Sequence, residues 1–334
     1  MKKLLLGAAC VALSVAPAVA DTASKKIALS NNYAGNSWRQ AMLQSWKTVT
    51  DQAIKDKKIG QADAFTTSEN QATEQAAQIQ NMILQGYDAI VLDAASPTAL
   101  NGAVKEACNA GIKVISFDGI VTAPCAWRVV VDFQKWGRDE VDYLAKRLPD
   151  GGNLLEVRGL AGTSIDKEIS KGIHDEVQKY PKFKIVGSVH GNWAQDVAQK
   201  AVAGVLPSLP KIAGVVTQGG DGYGTAMAFK AAGRPEPIII MGNREDELSW
   251  WKQEHAENGY TTMSASIAPG IATLAFWVAQ QILDGKDVPK DVSVPFLTVT
   301  QDTLDNALKT TPKGSVANKN YTQADVQAIL AKGK

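Results

Sequence analysis

Most residue patterns that mark enzymes and nucleic-acid-binding proteins are missing from this chain of 334 residues. Only three histidines occur, His174, His190 and His255, and they lie too far apart for metal-ligand spacing. The chain contains neither a G-x-S-x-G nor an H-E-x-x-H sequence. Its net charge is +1, and no basic stripe indicates a nucleic-acid surface. We therefore predict no catalytic residue, no metal site, no cofactor and no nucleic-acid partner.

Long apolar runs are missing as well, apart from one at the amino terminus. Lys2 and Lys3 precede the apolar run from Leu4 to Val15, which is too short to span a bilayer. The segment Ala18 to Ala20 then forms an A-x-A cleavage site. We expect residues 1–20 to be a signal peptide cleaved after Ala20, and the product to be exported and soluble.

Cysteine is scarce, with three in the whole chain. Cys10 lies in the signal peptide and fits a lipoprotein signal poorly, because Gly7 stands where that signal has leucine. Cys108 and Cys125 remain in the exported chain, and an even pair in an oxidising compartment favours a disulfide. The alternative is two buried thiols, since Cys108 lies on the apolar face of its predicted helix.

The chain does contain a strand-helix-strand unit, seen most clearly between Gly86 and Gly119. Ala89 to Leu92 is an apolar run of strand length, and Ser96 provides an N-cap for a helix with apolar residues at helical spacing. A second apolar strand, Lys113 to Phe117, ends at Asp118. Such a unit implies parallel strands with a right-handed crossover. Because ligands bind at the carboxyl ends of parallel strands, Asp118 is the first candidate for a ligand contact.

The same alternation continues on both sides of this unit. It predicts an α/β fold of two similar doubly wound parallel-sheet lobes that face one cleft. Thr322 and Asp325 predict the start of a last helix, in a segment that we expect to wrap a lobe surface. The predicted strands are 27–30, 61–65, 89–92, 113–117, 127–131, 153–157, 184–190, 212–217, 238–241, 260–266 and 292–296.

The glycine-rich stretch from Gly219 to Gly224 follows a predicted strand and precedes a helix. This position is typical of a dinucleotide-binding loop, but Thr225 occupies the place of the third glycine. We interpret the stretch as a tight turn in which Asp221 either caps the helix or reaches into the cleft.

Polar and aromatic side chains follow the carboxyl ends of the predicted strands. Aspartate, asparagine and arginine bind adjacent hydroxyl groups, and indole faces cover the C–H face of a sugar ring. The set predicts a polyhydroxylated small molecule as ligand, although Trp38 and Trp193 also fit a core role. The candidate ligand contacts are Asn36, Trp38, Arg39, Asp118, Lys167, Trp193, Asp221, Asn243, Arg244 and Ser266.

Five segments give the chain a resemblance to a known family over nearly all of residues 25–300. They read IALSNN, NQATEQAAQIQNMILQGYDAIVLDAASPTAL, ISFDG, LLEVRGLAGTSIDKEISKGIHDEV and ILDGKDVPKDV. The chain resembles type I periplasmic sugar-binding proteins of ABC transporters, in the ribose and galactose class that is also similar to LacI effector domains. The resemblance names no particular sugar.

In the first lobe the resemblance implies ligand contacts at Asn36, Trp38 and Asp118. Two positions depart from the ribose-binding pattern. Arg39 replaces the second aromatic residue of the first loop, and Gly119 replaces the arginine that follows the aspartate.

In the second lobe Trp193 matches the aromatic platform of the family, while four other positions differ. Lys167 stands in place of an arginine and lacks its bidentate fork. The remaining departures are Gly220 with Asp221 in place of an Asn-Asp pair, Asn243 or Arg244 in place of an aspartate, and Ser266 in place of a glutamine. A pentose or hexose other than ribose, a sugar alcohol and a sugar acid all stay open.

The resemblance also implies a mechanism and partners. Two lobes, residues 25–131 plus 267–293 and residues 132–266 plus 294–334, close on the ligand about chain crossings near Val131, Ser266 and Val294. The closed monomer in the periplasm then docks on an ABC-transporter permease, with no chemical change to the sugar or polyol. The alternative is a periplasmic sugar sensor subunit for a chemoreceptor or histidine kinase.

Overall fold

The computed structural model describes residues 22–69 and 71–332, so the predicted signal peptide, its cleavage site and Cys10 lie outside the described residues. The strands are β1 (Lys26–Asn31), β2 (Gln61–Thr66), β3 (Ala89–Leu92), β4 (Lys113–Phe117), β5 (Trp127–Val130), β6 (Gly152–Arg158), β7 (Phe183–His190), β8 (Gly214–Thr217), β9 (Ile238–Ile239), β10 (Ser264–Ser266), β11 (Asp291–Ser293) and β12 (Leu297–Val299). The helices are α1 (Ser37–Lys55), α2 (Ala72–Leu84), α3 (Asn101–Asn109), α4 (Phe133–Arg147), α5 (Ser164–Val177), α6 (Gln195–Val205), α7 (Gly222–Ala231), α8 (Glu245–Asn258), α9 (Ile271–Leu283), α10 (Leu304–Thr310) and α11 (Gln323–Lys332).

The first lobe is built on a six-stranded parallel sheet with the strand order β11-β5-β4-β3-β1-β2. Its central strands are continuous apolar runs because helices cover both faces. Alternate residues of one strand enter different cores: Ile27 and Leu29 pack with α1 and α9, whereas Ala28 packs with α2 and α3.

The second lobe is built on a four-stranded parallel sheet with the order β7-β6-β8-β9. Leu154 and Val216 pack on one face against α4 and α5, and Leu155 and Val215 pack on the other against α6 and α7. The two sheets therefore repeat one layered arrangement, with helices on both faces of each.

Three connections form the hinge between the lobes, between β5 and α4, between β10 and α9, and between β11 and β12. This confirms the predicted fold class of two parallel-sheet lobes with a three-crossing hinge. The single strand predicted over residues 292–296 is divided in the structure. β11 pairs with β5 in the first sheet, β12 pairs antiparallel with β10, and residues 294–296 form the crossing between them.

The C-terminal helix lies against the first lobe. Residues 294–334 were expected with the second lobe, and α10 does pack there, against α8. After α10, the backbone of Val316 forms an isolated antiparallel β-bridge with Arg244 of the second lobe, whereas α11 packs on α9 of the first lobe. The backbone N–H of Tyr321 donates to Oγ1 of Thr273 in α9 at 2.9 Å.

The predicted disulfide is confirmed. Cys108 and Cys125 are bonded, and they link the end of α3 to the segment before β5. This end of α3 precedes the amino-terminal edge of β4, so the disulfide lies away from the carboxyl ends of the strands. No helix within residues 22–69 and 71–332 combines the length and the apolar composition that a membrane crossing requires.

Candidate functional site

A cavity of about 600 Å³, counting the space open to solvent, lies between the carboxyl ends of the two sheets. Both lobes and the hinge contribute to its walls. The lining residues are Asn36, Trp38, Arg39, Asp118, Phe133, Trp136, Ile165, Trp193, Gln218, Gly219, Gly220, Asn243, Arg244, Ser266, Ile267 and Val316.

Eight of the ten residues predicted from the sequence line this cavity, namely Asn36, Trp38, Arg39, Asp118, Trp193, Asn243, Arg244 and Ser266. The structure places the other two elsewhere. Lys167 is exposed on α5, and the cavity wall near it is formed by Ile165. Asp221 is wholly buried at the start of α7, behind the wall.

Arg39 lies between two carboxylates in the first lobe. Asp93 and Asp118 directly follow the adjacent strands β3 and β4, so both carboxylates reach the same edge of the sheet. Arg39 pairs with Asp93, and its Nη2 lies 2.9 Å from Oδ2 of Asp118. The Arg39 side chain is only 12% exposed, and burial lowers the pKa of its guanidinium while the charge of Asp118 opposes this. The three side chains form a buried cluster with one cation and two anions.

Local structure positions Arg39 in this cluster. Oδ1 of Asn36 accepts the backbone N–H of Arg39 at 2.8 Å, which caps α1 and fixes its first turn. The Arg39 guanidinium carbon also lies 4.8 Å from the centre of the Trp38 ring. This contact adds a cation–π attraction and holds the indole at the cavity wall.

The backbone after β4 explains one departure from the ribose-binding pattern. Asp118 has a φ of 55°, a left-handed conformation that is uncommon for residues other than glycine. A side chain at Gly119 would overlap the carbonyl oxygen of Ala94. Position 119 therefore requires glycine. The guanidinium that contacts Asp118 comes from Arg39 in this chain, whereas in the ribose-binding pattern an arginine directly follows the aspartate.

In the second lobe Arg244 holds two loops of the wall together. Its Nη1 donates to the carbonyl oxygen of Gly220 at 2.5 Å, and its Nη2 donates to that of Trp193 at 2.6 Å. Asn192 and Trp193 have φ values of 57° and 55°, so this loop is in an unfavourable conformation for side-chain-bearing residues. The hydrogen bond from Arg244 stabilises that conformation and sets the position of the Trp193 ring.

Glu247 supports Arg244 from α8. Its Oε1 accepts the backbone N–H groups of Gly222 and Gly242, each at 2.9 Å, and its Oε2 accepts that of Arg244 at 3.1 Å. Burial raises the pKa of Glu247, while the charge of Arg244 lowers it.

Asp221 makes neither of the contacts expected of it. Within the described part of the chain its carboxylate oxygens have no hydrogen bond of ordinary geometry, and it forms no capping bond to α7. Burial raises the pKa of Asp221 well above its usual range, and the positive charge of Arg244 opposes the shift. Its position behind Arg244 indicates a role in the wall.

Two aromatic residues of α4 complete the apolar lining and were missed in the sequence. Phe133 and Trp136 lie in the first turn after the hinge, and their rings stack at 6.5 Å with an angle of 26°. Nε1 of Trp136 donates to Oε1 of Glu140 at 2.6 Å, and Oε2 of Glu140 accepts the backbone N–H of Thr217 at 3.0 Å. Burial raises the pKa of Glu140, which the hydrogen bonds from Trp136 and Thr217 oppose. The sequence does contain a signal for Trp136, because it lies just after the predicted chain crossing near Val131.

Several polar side chains of the wall already have partners in the hinge. Nδ2 of Asn243 donates to the carbonyl oxygen of Leu297 at 2.7 Å, and its Oδ1 accepts the hydroxyl of Ser264. Nε1 of Trp38 donates to the carbonyl oxygen of Ile267 at 2.7 Å. Asn243 therefore holds β10 and β12 together, and Trp38 connects α1 to the segment after β10.

The remaining lining residues outside the predicted set are Ile165, Gln218, Gly219, Gly220, Ile267 and Val316. Gln218 and Gly219 directly follow β8, so the strand-end rule that selected Asp118 applied to them as well. Ile165 and Val316 carried no such signal, because one is an apolar helix residue and the other lies outside the strand alternation.

The site offers hydrogen-bonding and stacking groups. Asp118 provides acceptors, Arg39 and Arg244 provide donors, and the indoles of Trp38, Trp136 and Trp193 provide flat apolar faces. Across residues 22–69 and 71–332, no group of three or more His, Cys, Asp and Glu side chains is arranged to hold a metal ion. The arrangement suits reversible binding of a small polyhydroxylated molecule.

Comparison with known proteins gives consistent matches. Residues 27–287 match the family described as periplasmic binding protein domain. A xylitol-binding protein of Mycolicibacterium smegmatis is 30% identical over 254 residues, which are 73% of this chain and 70% of that protein. A ribose import binding protein of Bacillus subtilis is 24% identical over 250 residues, or 73% of this chain and 79% of that protein. The crystal structure of an ABC transporter solute binding protein from Thermobispora bispora is 33% identical, with a TM-score of 0.85, covering 92% of this chain and 95% of that one.

Proposed function

The chain belongs to the periplasmic binding protein domain family, and on that premise we propose that it is a solute-binding protein of an ABC transporter. It captures a monosaccharide or a related polyol in the cavity between its lobes. The observation that carries the proposal is the combination of Asp118 and Arg39 with three indole faces on opposite walls of one cavity. The functions of the two relatives, xylitol binding and ribose import, support the same class of ligand.

The charges of the cavity favour a neutral ligand over a sugar acid. Arg39 is already paired with Asp93 and Asp118, so this wall carries one excess negative charge. Arg244 is bound to two carbonyl oxygens and lies near the carboxylate of Glu247. A ligand carboxylate beside the first wall would be repelled by this excess negative charge. We infer that hydroxyl groups, without a carboxylate, are the recognised chemistry.

The proposed ligand contacts are the eight predicted residues that line the cavity, together with Phe133 and Trp136. Contacts from both lobes stabilise the closed form relative to the open one, which is sufficient to shift the equilibrium without chemical change to the ligand. We propose that the closed monomer docks on a membrane permease driven by an ATPase.

Tryptophan fluorescence tests the ligand class directly, since three indoles line the cavity. The purified protein is titrated with pentoses, hexoses, four- to six-carbon polyols and the corresponding sugar acids. We expect a saturable change with one narrow group of neutral compounds. Tighter binding of a sugar acid than of its neutral analogue would contradict the charge argument, and no binding to any member, after unfolding and refolding to remove carried-over ligand, would contradict the ligand class.

The proposed cellular role requires export and a transporter. The amino-terminal sequence of the protein recovered from the periplasm is expected to begin at Asp21, after cleavage at Ala20. Ligand-loaded protein should stimulate ATP hydrolysis by its permease-ATPase complex in vesicles. Stimulation of a chemoreceptor or histidine kinase instead would support the alternative of a sugar sensor subunit.

A further inference from the structure

The segment from Ser315 to Tyr321, here called the strap, begins on the second lobe. The carbonyl oxygen of Ser315 accepts the backbone N–H of Glu245 at 3.0 Å. Two residues later the backbone N–H of Ala317 donates to the carbonyl oxygen of Asn243 at 2.7 Å. These two bonds flank Val316 and fix it beside the cavity.

Val316 itself is part of the cavity wall. It is 2% exposed, lines the site and forms a bridge with Arg244, the residue that holds two loops of the second lobe. Its isopropyl group is therefore held rigidly at the point where a ligand would contact the second lobe and the hinge.

The strap then attaches to the first lobe. Oδ1 of Asn318 accepts the backbone N–H of Gly270 at 2.7 Å, and its Nδ2 donates to Oγ of Ser45 in α1 at 2.7 Å. The backbone of Tyr321 is bound to Thr273, and the Tyr321 ring is buried at 5% exposure.

Consecutive residues of the strap are thus bound to different lobes, Ala317 to the second and Asn318 to the first. Consecutive Cα atoms are only about 3.8 Å apart, so the chain has no slack at this joint. Rotation of one lobe against the other has to be absorbed by the backbone dihedral angles at this joint, and beyond their allowed range it strains the joint or breaks the bonds on one side of it.

We propose that the strap is a fourth crossing between the lobes and a component of the ligand site. The joint between Ala317 and Asn318 limits how far the lobes open, and Val316 limits the size of the ligand that the cavity accepts. The role of Val316 rests on the proposed function, whereas the limit on opening does not depend on any ligand.

The limit on opening is tested by lengthening the chain at the joint. The sequence Gly-Ser-Gly-Ser is inserted between Ala317 and Asn318, and as a matched control between Lys319 and Asn320, where both flanking anchors lie on the first lobe. Spin labels on cysteines replacing the exposed Leu84 and Lys200 report the distance between the lobes without ligand.

We expect the insertion at the joint to broaden and lengthen the distance distribution, while the control insertion leaves it unchanged. For a ligand found in the fluorescence screen, affinity should fall about fivefold or more, because the closed form is less populated. Identical distance distributions for the two insertions would overturn the proposed limit on opening.

The role of Val316 is tested by substitutions that change the size of its side chain. Val316→Phe should weaken binding of six-carbon ligands at least about tenfold more than binding of four-carbon polyols, and Val316→Ala should shift the preference toward longer ligands. Val326→Ala, on the buried side of α11, is the control and should leave the preference unchanged. Equal effects on all ligand sizes would overturn the role of Val316. If the wild-type protein binds nothing in the screen, the proposed ligand class fails, while the spin-label distances still decide the limit on opening.

Discussion

At the scale of single residues, Asp118 combines an unusual backbone with a place in the cavity wall. Its left-handed φ and its ion pair with Arg39 hold the carboxylate in one position before any ligand arrives. A preorganised acceptor of this kind loses little side-chain freedom on binding. The carboxylate is therefore expected to contribute more to affinity than a mobile surface aspartate.

We predict that Asp118→Ala weakens binding of the preferred ligand by about 10- to 100-fold, the equivalent of one charge-assisted hydrogen bond of about 1.5–3 kcal/mol. Titration calorimetry measures the change. Asp291→Ala, which removes an exposed ion pair with Arg128 at the sheet edge, serves as the control and should leave affinity unchanged. An unaltered affinity in Asp118→Ala would show that this carboxylate is structural.

Arg39 is predicted to stabilise the fold itself. Arg39→Ala leaves the carboxylates of Asp93 and Asp118 close together, buried and uncompensated, so a loss of about 3–5 kcal/mol in unfolding free energy is expected. Arg128→Ala breaks a partly exposed pair and should cost about 1 kcal/mol or less. Urea denaturation of both variants measures the difference, and equal losses would contradict the account of the cluster.

At the scale of secondary-structure elements, the packing of α4 on α5 depends on glycine. A side chain at Gly137 would overlap the backbone of Ile169 and Ile173, and a side chain at Gly172 would overlap the backbone of Gln134. The two helices approach this closely because neither has a side chain at the contact. The same contact positions Trp136, the neighbour of Gly137, at the cavity.

Gly137→Ala is accordingly expected to destabilise the protein by about 1–3 kcal/mol through overpacking. Gly204 in α6 has open space around its Cα, so Gly204→Ala should instead stabilise the helix by up to about 1 kcal/mol. Thermal denaturation of the two variants should move the melting temperature in opposite directions. An unchanged or raised melting temperature in Gly137→Ala would show that α4 and α5 separate without cost.

Two helix starts show where the local sequence pattern is sufficient to predict a boundary and where it is not. Thr322 and Asp325 cap α11 reciprocally, as predicted, because this motif needs only residues three apart. Ser96 was predicted to start a helix at Pro97, yet α3 begins at Asn101. The hydroxyl of Ser96 does accept the backbone N–H of Ala99, at 3.2 Å, but residues 97–100 form a turn.

At the scale of the whole molecule, buried carboxyl groups set the pH dependence of stability. Burial raises the pKa of Glu140, Asp221 and Glu247. Glu236 is exposed, but partial desolvation raises its pKa to about 7, where Glu254 adds to the shift and Lys230 opposes it. Because folding raises these pKa values, the folded protein binds more protons than the unfolded chain at any pH above the ordinary pKa of the group, which is 4.5 for glutamate. Stability is then fully present below that value and is lost as the pH rises.

We therefore predict that the unfolding free energy decreases from pH 5 to pH 8, with the contribution of Glu236 lost between about pH 4.5 and 7. Urea denaturation at intervals of one pH unit measures the slope. Glu236→Gln should give a shallower decrease over this window than the wild-type protein. A stability that increases with pH across the window would contradict the prediction.

The sequence by itself determined the order of the elements, the two-lobe fold and eight residues of the cavity wall, and its even pair of cysteines favoured the disulfide. The elements, the fold and the wall residues depend on local periodicity and on the convergence of parallel strand ends, both of which can be read over short stretches. Only the tertiary structure decided that Arg39 pairs with Asp93 and Asp118, that Phe133 and Trp136 complete the wall, and that Asp221 lies behind it. It also decided that the strap crosses back to the first lobe. Contacts between residues far apart depend on how helices pack on a sheet, and no local pattern specifies that packing.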